Sequence, residues 1–251
     1  MEAKEKMANL WLEDFKRGLY IAEKDIKIYF LKGPNLIFGL LLPVSLFLAF
    51  SIGRAVDTAF AVPGLVAISA FFGAGAIQAI ALPLERRTGT FSLLLSAPIS
   101  LFAIVVGKAL AGFIYGVILS VAYTAMMIPF SPLPNLPLFF TGVLLSSFMF
   151  STFGLVLSAP FKDIPQAMPP ATVIRIIMVF ISGVFVPIMT LPIFLQAIAY
   201  AMPLTYSVDL LRQAMSGPVD LQMFLIDVAA QVLFSLVFLA VTVRLLKKTV
   251  E

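Results

Sequence analysis

AFAVPGLVAISAFFGAGAIQAIALPL, residues 59–84, carries no charged side chain, and ERRTGTFSLLLSAPIS, residues 85–100, follows it directly. About 20 apolar residues, rising about 1.5 Å each as a helix, cross the hydrocarbon core of a bilayer. Residues 59–84 therefore read as a membrane helix, and the charged run after it as the polar turn that ends the crossing. Working outward from this pair, five more spans are expected. They are Pro34–Gly53, Leu101–Pro129, Leu136–Phe161, Pro169–Val186 and Leu221–Val243. Of the 251 residues, 61% are hydrophobic and 12% charged. A soluble domain carries about 25% charge, so the composition excludes one and predicts an integral, all-α membrane protein.

The chain stays uncharged from Arg175 to Val208, broken by Pro187, Pro192 and Pro203. That is too long for one span. The expected arrangement is a span ending near Pro187, then a segment, Leu191–Met202, too short to cross, which dips into the membrane or lies in its outer face. Lys and Arg fix the orientation by the positive-inside rule. With the N-terminus inside, only Arg54 and Arg212 fall outside, Arg175 sits at membrane depth, and the other basic residues fall on inner segments. Six spans return the C-terminus, with Lys247 and Lys248, to the inner side. The first apolar run begins after residue 33, so no cleaved signal peptide is expected.

Trp11, Phe15, Leu19, Ala22, Ile26 and Phe30 recur at spacings of three and four. They predict an amphipathic helix over 10–32, suited to the inner membrane surface. It serves as an anchor for the first span, with partner docking as the sharper reading. Gly112, Gly116 and Ser120 in the third span, and Gly154 and Ser158 in the fourth, give small-residue faces for close packing within the chain. Pro129, Pro132, Pro134 and Pro137 make the turn between those spans short and stiff.

Much chemistry is excluded. The chain has no Cys and no His, hence no disulfide, no thiolate or imidazole metal site and no His base. It has no G-x-x-x-x-G-K-[ST] phosphate loop and no G-x-S-x-G elbow. Coupled carriers place carboxylates deep in the membrane, and here the spans carry almost none. Arg175 has two readings: a residue of a translocation path, or a side chain snorkelling to the inner interface. Lys108 reads as an interfacial snorkelling residue. Phe71, Phe72, Met178, Phe180 and Phe185 are candidates for the wall of an apolar path, with lipid or helix packing as the plainer reading.

Within 84–100 the pattern is a charged run, a Gly turn, a short amphipathic helix capped by Thr90 or Ser92, and a closing Pro98. By pattern alone it is a solvated connector. Its residues nevertheless resemble the signature joining spans two and three in ABC-2-type transporter permeases. Glu85, Arg86, Gly89, Thr90, Leu93, Leu94, Pro98, Ile99 and Ser100 match that signature. A second stretch, 202–217, is similar to the family's run before the last span through Pro203, Tyr206, Asp209, Arg212 and Gly217. The amphipathic start, six spans and re-entrant segment look like that family too, so the resemblance covers essentially the whole chain.

The resemblance implies the transmembrane subunit of a type V-like ABC exporter. It implies two domains: 1–33, a cytoplasmic tail with the interfacial helix, and 34–251, a six-helix transmembrane domain. The second contains an inner coupling loop, 84–100, and an outer re-entrant segment, 187–217, acting as a lid. Glu85, Arg86, Arg87, Thr88, Gly89 and Thr90 are then the coupling element. Arg175 and the aromatic and Met side chains named above are path candidates, and Pro203, Tyr206, Asp209 and Arg212 belong to the lid. Partners implied are an ABC ATP-binding subunit and a second permease chain, the same or a different one, within membrane lipid and without nucleic acid. ATP and Mg would sit on the partner, so this chain would carry no cofactor and be no enzyme. The place would be the cell membrane, multi-pass, with both termini cytoplasmic, and the cargo a small hydrophobic or amphiphilic molecule. The rival readings are a stand-alone carrier or channel and a membrane assembly scaffold.

Overall fold

The computed structural model describes residues 2–30, 41–49, 57–130, 135–216 and 219–250, which are helical without a strand. Helix α1 (Glu2–Asp25) runs into a π-helical turn, Ile26–Phe30. Residues 41–49 (α2) are all that is described of the first expected span. Then come α3 (Thr58–Arg87), α4 (Thr90–Ser96), α5 (Leu101–Met127), α6 (Leu136–Ser158) and α7 (Ile164–Ile181). A 3₁₀ turn, Ile188–Thr190, leads to α8 (Ile193–Tyr200), α9 (Pro203–Ser216) and α10 (Leu221–Val250). Helices α3, α5, α6, α7 and α10 are long and apolar enough to cross a membrane; α8 and α9, bent by 86°, make a sixth if counted as one span.

Local chemistry sets the boundaries. The Asp57 side chain accepts from the Ala59 amide at 3.1 Å and starts α3. Ser100 and Asn135 cap α5 and α6 in the same way, each accepting at 3.2 Å from the amide three residues on. Asp163 caps α7 with Pro165 in the first turn, so this helix begins five residues before the expected Pro169. It also ends sooner than Val186, because Gly183 at φ 80 turns the chain out of the helix. The short helix α4 departs from expectation: neither Thr90 nor Ser92 caps it. Gly89, at φ 77, holds the N-cap position, and the Thr88 hydroxyl turns back to the Leu84 carbonyl at 3.0 Å.

Helix α3 is the hub, packed by α5, α6, α7 and α9. Its Val62, Val66 and Phe71 meet Val143 and Phe150 of α6 and Val208 and Leu211 of α9. The Phe71 ring lies 4.8 Å from that of Phe150. Without a hydrophobic driving force in lipid, such helices associate through close packing and hydrogen bonds. Both are visible. A Cβ on Gly154 would clash with the Gly75 carbonyl oxygen, so α6 and α3 touch backbone to backbone. The Ser151 hydroxyl donates to Ala109 O at 2.7 Å, and the Ser146 hydroxyl to Gln231 Oε1 at 3.0 Å. The small residues of α5 and α6 thus pack inside the chain.

Helix α1 lies against α5. A Cβ on Gly107 would clash with the Gly18 carbonyl, so only glycine permits the crossing. Helix α1 buries Gly18, Ile21, Ala22 and Asp25, whereas Phe15 and Leu19 of the expected apolar stripe stay exposed. The side chains of Trp11 and Phe30 lie outside the described residues, as do Arg54, Pro132, Pro134 and Gly217.

Candidate functional site

Loop 84–100 sits at the end of the bundle where α1 meets α3 and α5. The six residues expected to form the coupling element, 85–90, divide into an inner and an outer set. Glu85 ends the apolar part of α3 and is fully buried. Its carboxylate accepts from Lys24 Nζ at Oε1, 2.5 Å, and lies 2.5 Å from Lys108 Nζ at Oε2. Lys108 also donates to Asp25 Oδ2 at 3.1 Å, and Lys24 lies 3.0 Å from Asp25 Oδ1. Two carboxylates and two ammonium groups thus alternate in a closed, charge-neutral ring joining α1, α3 and α5. A buried ion needs its partner's charge and its hydrogen bonds to offset desolvation; the ring pairs every charge, with hydrogen bonds at Glu85 Oε1 and Asp25 Oδ2, while Glu85 Oε2 and Asp25 Oδ1 meet an ammonium group without one. Burial alone would lower the Lys24 ammonium; Asp25 and Glu85 outweigh it and hold the group above its ordinary value. Lys108 is therefore not the snorkelling residue its place near a span end suggests: it is 1% exposed and faces the ring.

Arg86 also points inward. Its guanidinium Nη1 donates to the carbonyls of Ala159 and Phe161, at 2.7 and 2.8 Å, and the guanidinium carbon lies 5.5 Å from the Phe91 ring centre. It pins the loop to the α6–α7 connection. Arg87, Thr88 and Gly89 form the exposed tip, with Thr90 half-buried. Arg87 meets Asp163 at 3.6 Å. On α4, Phe91 is buried while Leu93 is 71% exposed, an apolar side chain presented outward at the turn.

The path candidates differ in burial. Phe71 and Met178 are closed inside the core of the chain, Phe72 and Phe185 are half-buried, and Phe180 is exposed. Phe180 and Phe185 pair at 5.7 Å. Arg175 does not snorkel: it is 5% exposed and its Nη2 donates to Gly75 O at 2.6 Å.

At the opposite end, Arg212 of α9 gathers three segments. Nη2 donates to Gly183 O at 2.6 Å and Val184 O at 3.3 Å, and the guanidinium carbon lies 3.8 Å from the Phe60 ring centre. Pro203 opens α9, and the Tyr206 hydroxyl donates to Tyr200 O at 2.7 Å across the α8–α9 bend. Asp209 faces a recess of about 260 Å³ with Gln213, Asp220 and Asp227. No group of His, Cys, Asp or Glu among the described residues is arranged to hold a metal ion.

Reading the sequence singles out neither Lys24 nor Asp25. One signal was present: Asp25 falls four residues after Ile21 and three after Ala22, an acid on a buried helix stripe.

Comparison with known proteins bears on these features together. The family model described as ABC-2 type transporter matches residues 24–216, from the ring's Lys24 through the end of α9. Two curated relatives, each named "Probable multidrug ABC transporter permease YbhR", come from Escherichia coli K12 and Escherichia coli O157:H7. Each is 26% identical over 159 residues, covering 61% of this chain. The chain spans 43% of the length of these relatives. The family match takes in the ring, the loop tip, the buried Arg175 and the Arg212 contacts within a helical bundle built to cross a membrane: the chain belongs to the ABC-2 type transporter family.

Proposed function

We propose that the chain is the transmembrane permease subunit of an ATP-driven ABC exporter, working as a dimer with separate ATP-binding subunits. The observation that carries this is the mounting of loop 84–100. Its tip, Arg87–Thr88–Gly89 with Leu93 behind it, is exposed, while Glu85 and Arg86 fasten its root to α1, α3, α5 and the α6–α7 connection. A push on such a tip moves several helices as one body instead of bending a loop. An exposed Arg and Leu at a turn suit a mixed polar and apolar groove on a soluble partner. ATP and Mg belong to that partner.

In this reading 1–33 is a tail with an interfacial helix and 34–251 the membrane domain, with both termini on the inner side of the cell membrane. The 187–217 segment, held by Arg212, is the outer lid. Phe180 and its exposed neighbours on α7 line the path between two chains, and Phe71 and Met178 support them from within. The second chain is a copy of this one, a different permease chain being the alternative. The cargo is a small hydrophobic or amphiphilic molecule, in keeping with the word "multidrug" in the relatives' name.

The test is ATP hydrolysis by the chain reconstituted with its ATP-binding subunit. Arg87→Ala with Leu93→Ser should lower the membrane-domain-dependent ATPase rate while the fold stays intact. A rate unchanged in this variant contradicts the role of the tip. Transport by the chain alone, in vesicles without ATP, favours a carrier instead.

A further inference from the structure

The buried face of α7 reads Ala167, Ala171, Arg175, Met178 and Val179, with Arg175 its one charge. Eleven residues after Ile164, Arg175 stands about 16 Å along the helix, near the middle of a hydrocarbon core about 30 Å thick. A guanidinium carries five N–H donors. Here Nη2 donates to the Gly75 carbonyl at 2.6 Å, and Nε is buried without a partner. No ion pair among the described residues includes Arg175. A neutral amide side chain could donate to Gly75 at a smaller desolvation cost, so the packing of α7 on α3 makes no use of the charge. The chain also holds no free carboxylate to answer it. In α3, α5, α6, α7 and α10 the acids are Glu85, engaged in the ring, and Asp227, which accepts from Gln213. A second copy of the chain brings the same two.

We infer that Arg175 binds the acidic group of the cargo, and that the cargo is a monoanionic amphiphile, a carboxylate or sulfate on an apolar body. Two charged oxygens accept parallel N–H bonds from the guanidinium fork, each about twice as strong as a bond to a neutral carbonyl. The anion thus replaces Gly75 as the partner and engages donors that Gly75 leaves unused. Ile174 and Ile176, one residue to either side, are exposed. Helix α7 is covered only along the strip that holds Arg175, and a small rotation of the helix turns the guanidinium towards the path. The exposed isoleucines then meet the apolar body. Lipid headgroups stay at the membrane surface and do not reach this depth. A cationic or neutral amphiphile leaves the charge unanswered. The inference deepens the reading of α7 as a wall of the path and rests on it.

The test is a fluorescence titration of the purified full chain, in an uncharged sugar detergent, with 11-(dansylamino)undecanoic acid and with its methyl ester. The acid should bind about tenfold tighter than the ester. In Arg175→Gln the two should bind alike, and in Arg175→Lys, which keeps the charge, part of the preference should remain. In Lys162→Gln, an exposed cation beside the start of α7, the full preference should persist. Equal binding of acid and ester by the unaltered chain overturns the inference, as does a preference that survives Arg175→Gln. A second measurement needs no variant: lauric acid should displace the bound probe about tenfold better than dodecanol or dodecylamine. Displacement by dodecylamine as readily as by lauric acid overturns the inference. The titration uses the chain without its ATP-binding subunit, so a failure here is distinct from a failure of the exporter reading, which the ATPase rate tests.

Discussion

Lys108 Nζ lies 2.5 Å from Glu85 Oε2, with both side chains at most 1% exposed. The pair closes the ring in which Lys24 and Asp25 are the other members. Removing one member leaves a buried charge uncompensated, at a cost of about 3–5 kcal/mol. Lys108→Met and Glu85→Gln should each lower thermal stability in a common detergent by that order. The double variant restores neutrality and leaves the Lys24–Asp25 pair, so it should lose less than the sum of the singles, by about 1 kcal/mol or more. Strict additivity contradicts the ring.

Arg87 offers the contrast one residue later. It is exposed and its contact with Asp163 is long. Arg87→Ala should leave stability within about 0.5 kcal/mol. It should still weaken association with the ATP-binding subunit, read as a raised Kd. Equal damage to stability and association would make Arg87 a structural residue only.

Arg212 holds Gly183 and Val184 through its guanidinium and stacks on Phe60. Arg212→Lys keeps the charge and loses the planar fork, so it should behave nearly as Arg212→Ala does. In both, hydrogen exchange over 182–192 should quicken and stability fall by about 1–3 kcal/mol. Exchange unchanged over that segment contradicts the clamp.

Gly154 and Gly75 let α6 and α3 meet at the backbone. Gly154→Ala should cost about 1–3 kcal/mol by forcing the helices apart. Gly107→Ala should act instead at the α1–α5 crossing and make α1 more open to proteolysis. A silent Gly154→Ala contradicts the contact.

The sequence was legible where one physical signal repeats locally. Apolar runs marked α3, α5, α6 and α10, and Pro98 marked the close of α4. The ring was not legible, because its members come from positions 24, 25, 85 and 108. A lone Lys near a span end looks the same whether it reaches for headgroups or for two buried carboxylates. Glu85 looked like a surface charge for the same reason: a charged run after a membrane helix does not reveal which members turn inward. The α8–α9 bend was legible as prolines and as a segment too short to cross. The contacts of Arg212 with Phe60, Gly183 and Val184 were not, since nothing local relates residues so far apart.

The central claim is that a separate ATPase drives this chain through loop 84–100. The most direct measurement is to tag the C-terminus, purify the chain gently from its native membrane and identify what accompanies it. The account predicts a P-loop ATPase in near-equal amount, lost when Arg87 and Leu93 are replaced together. A clean, unaccompanied chain across several mild detergents would contradict it.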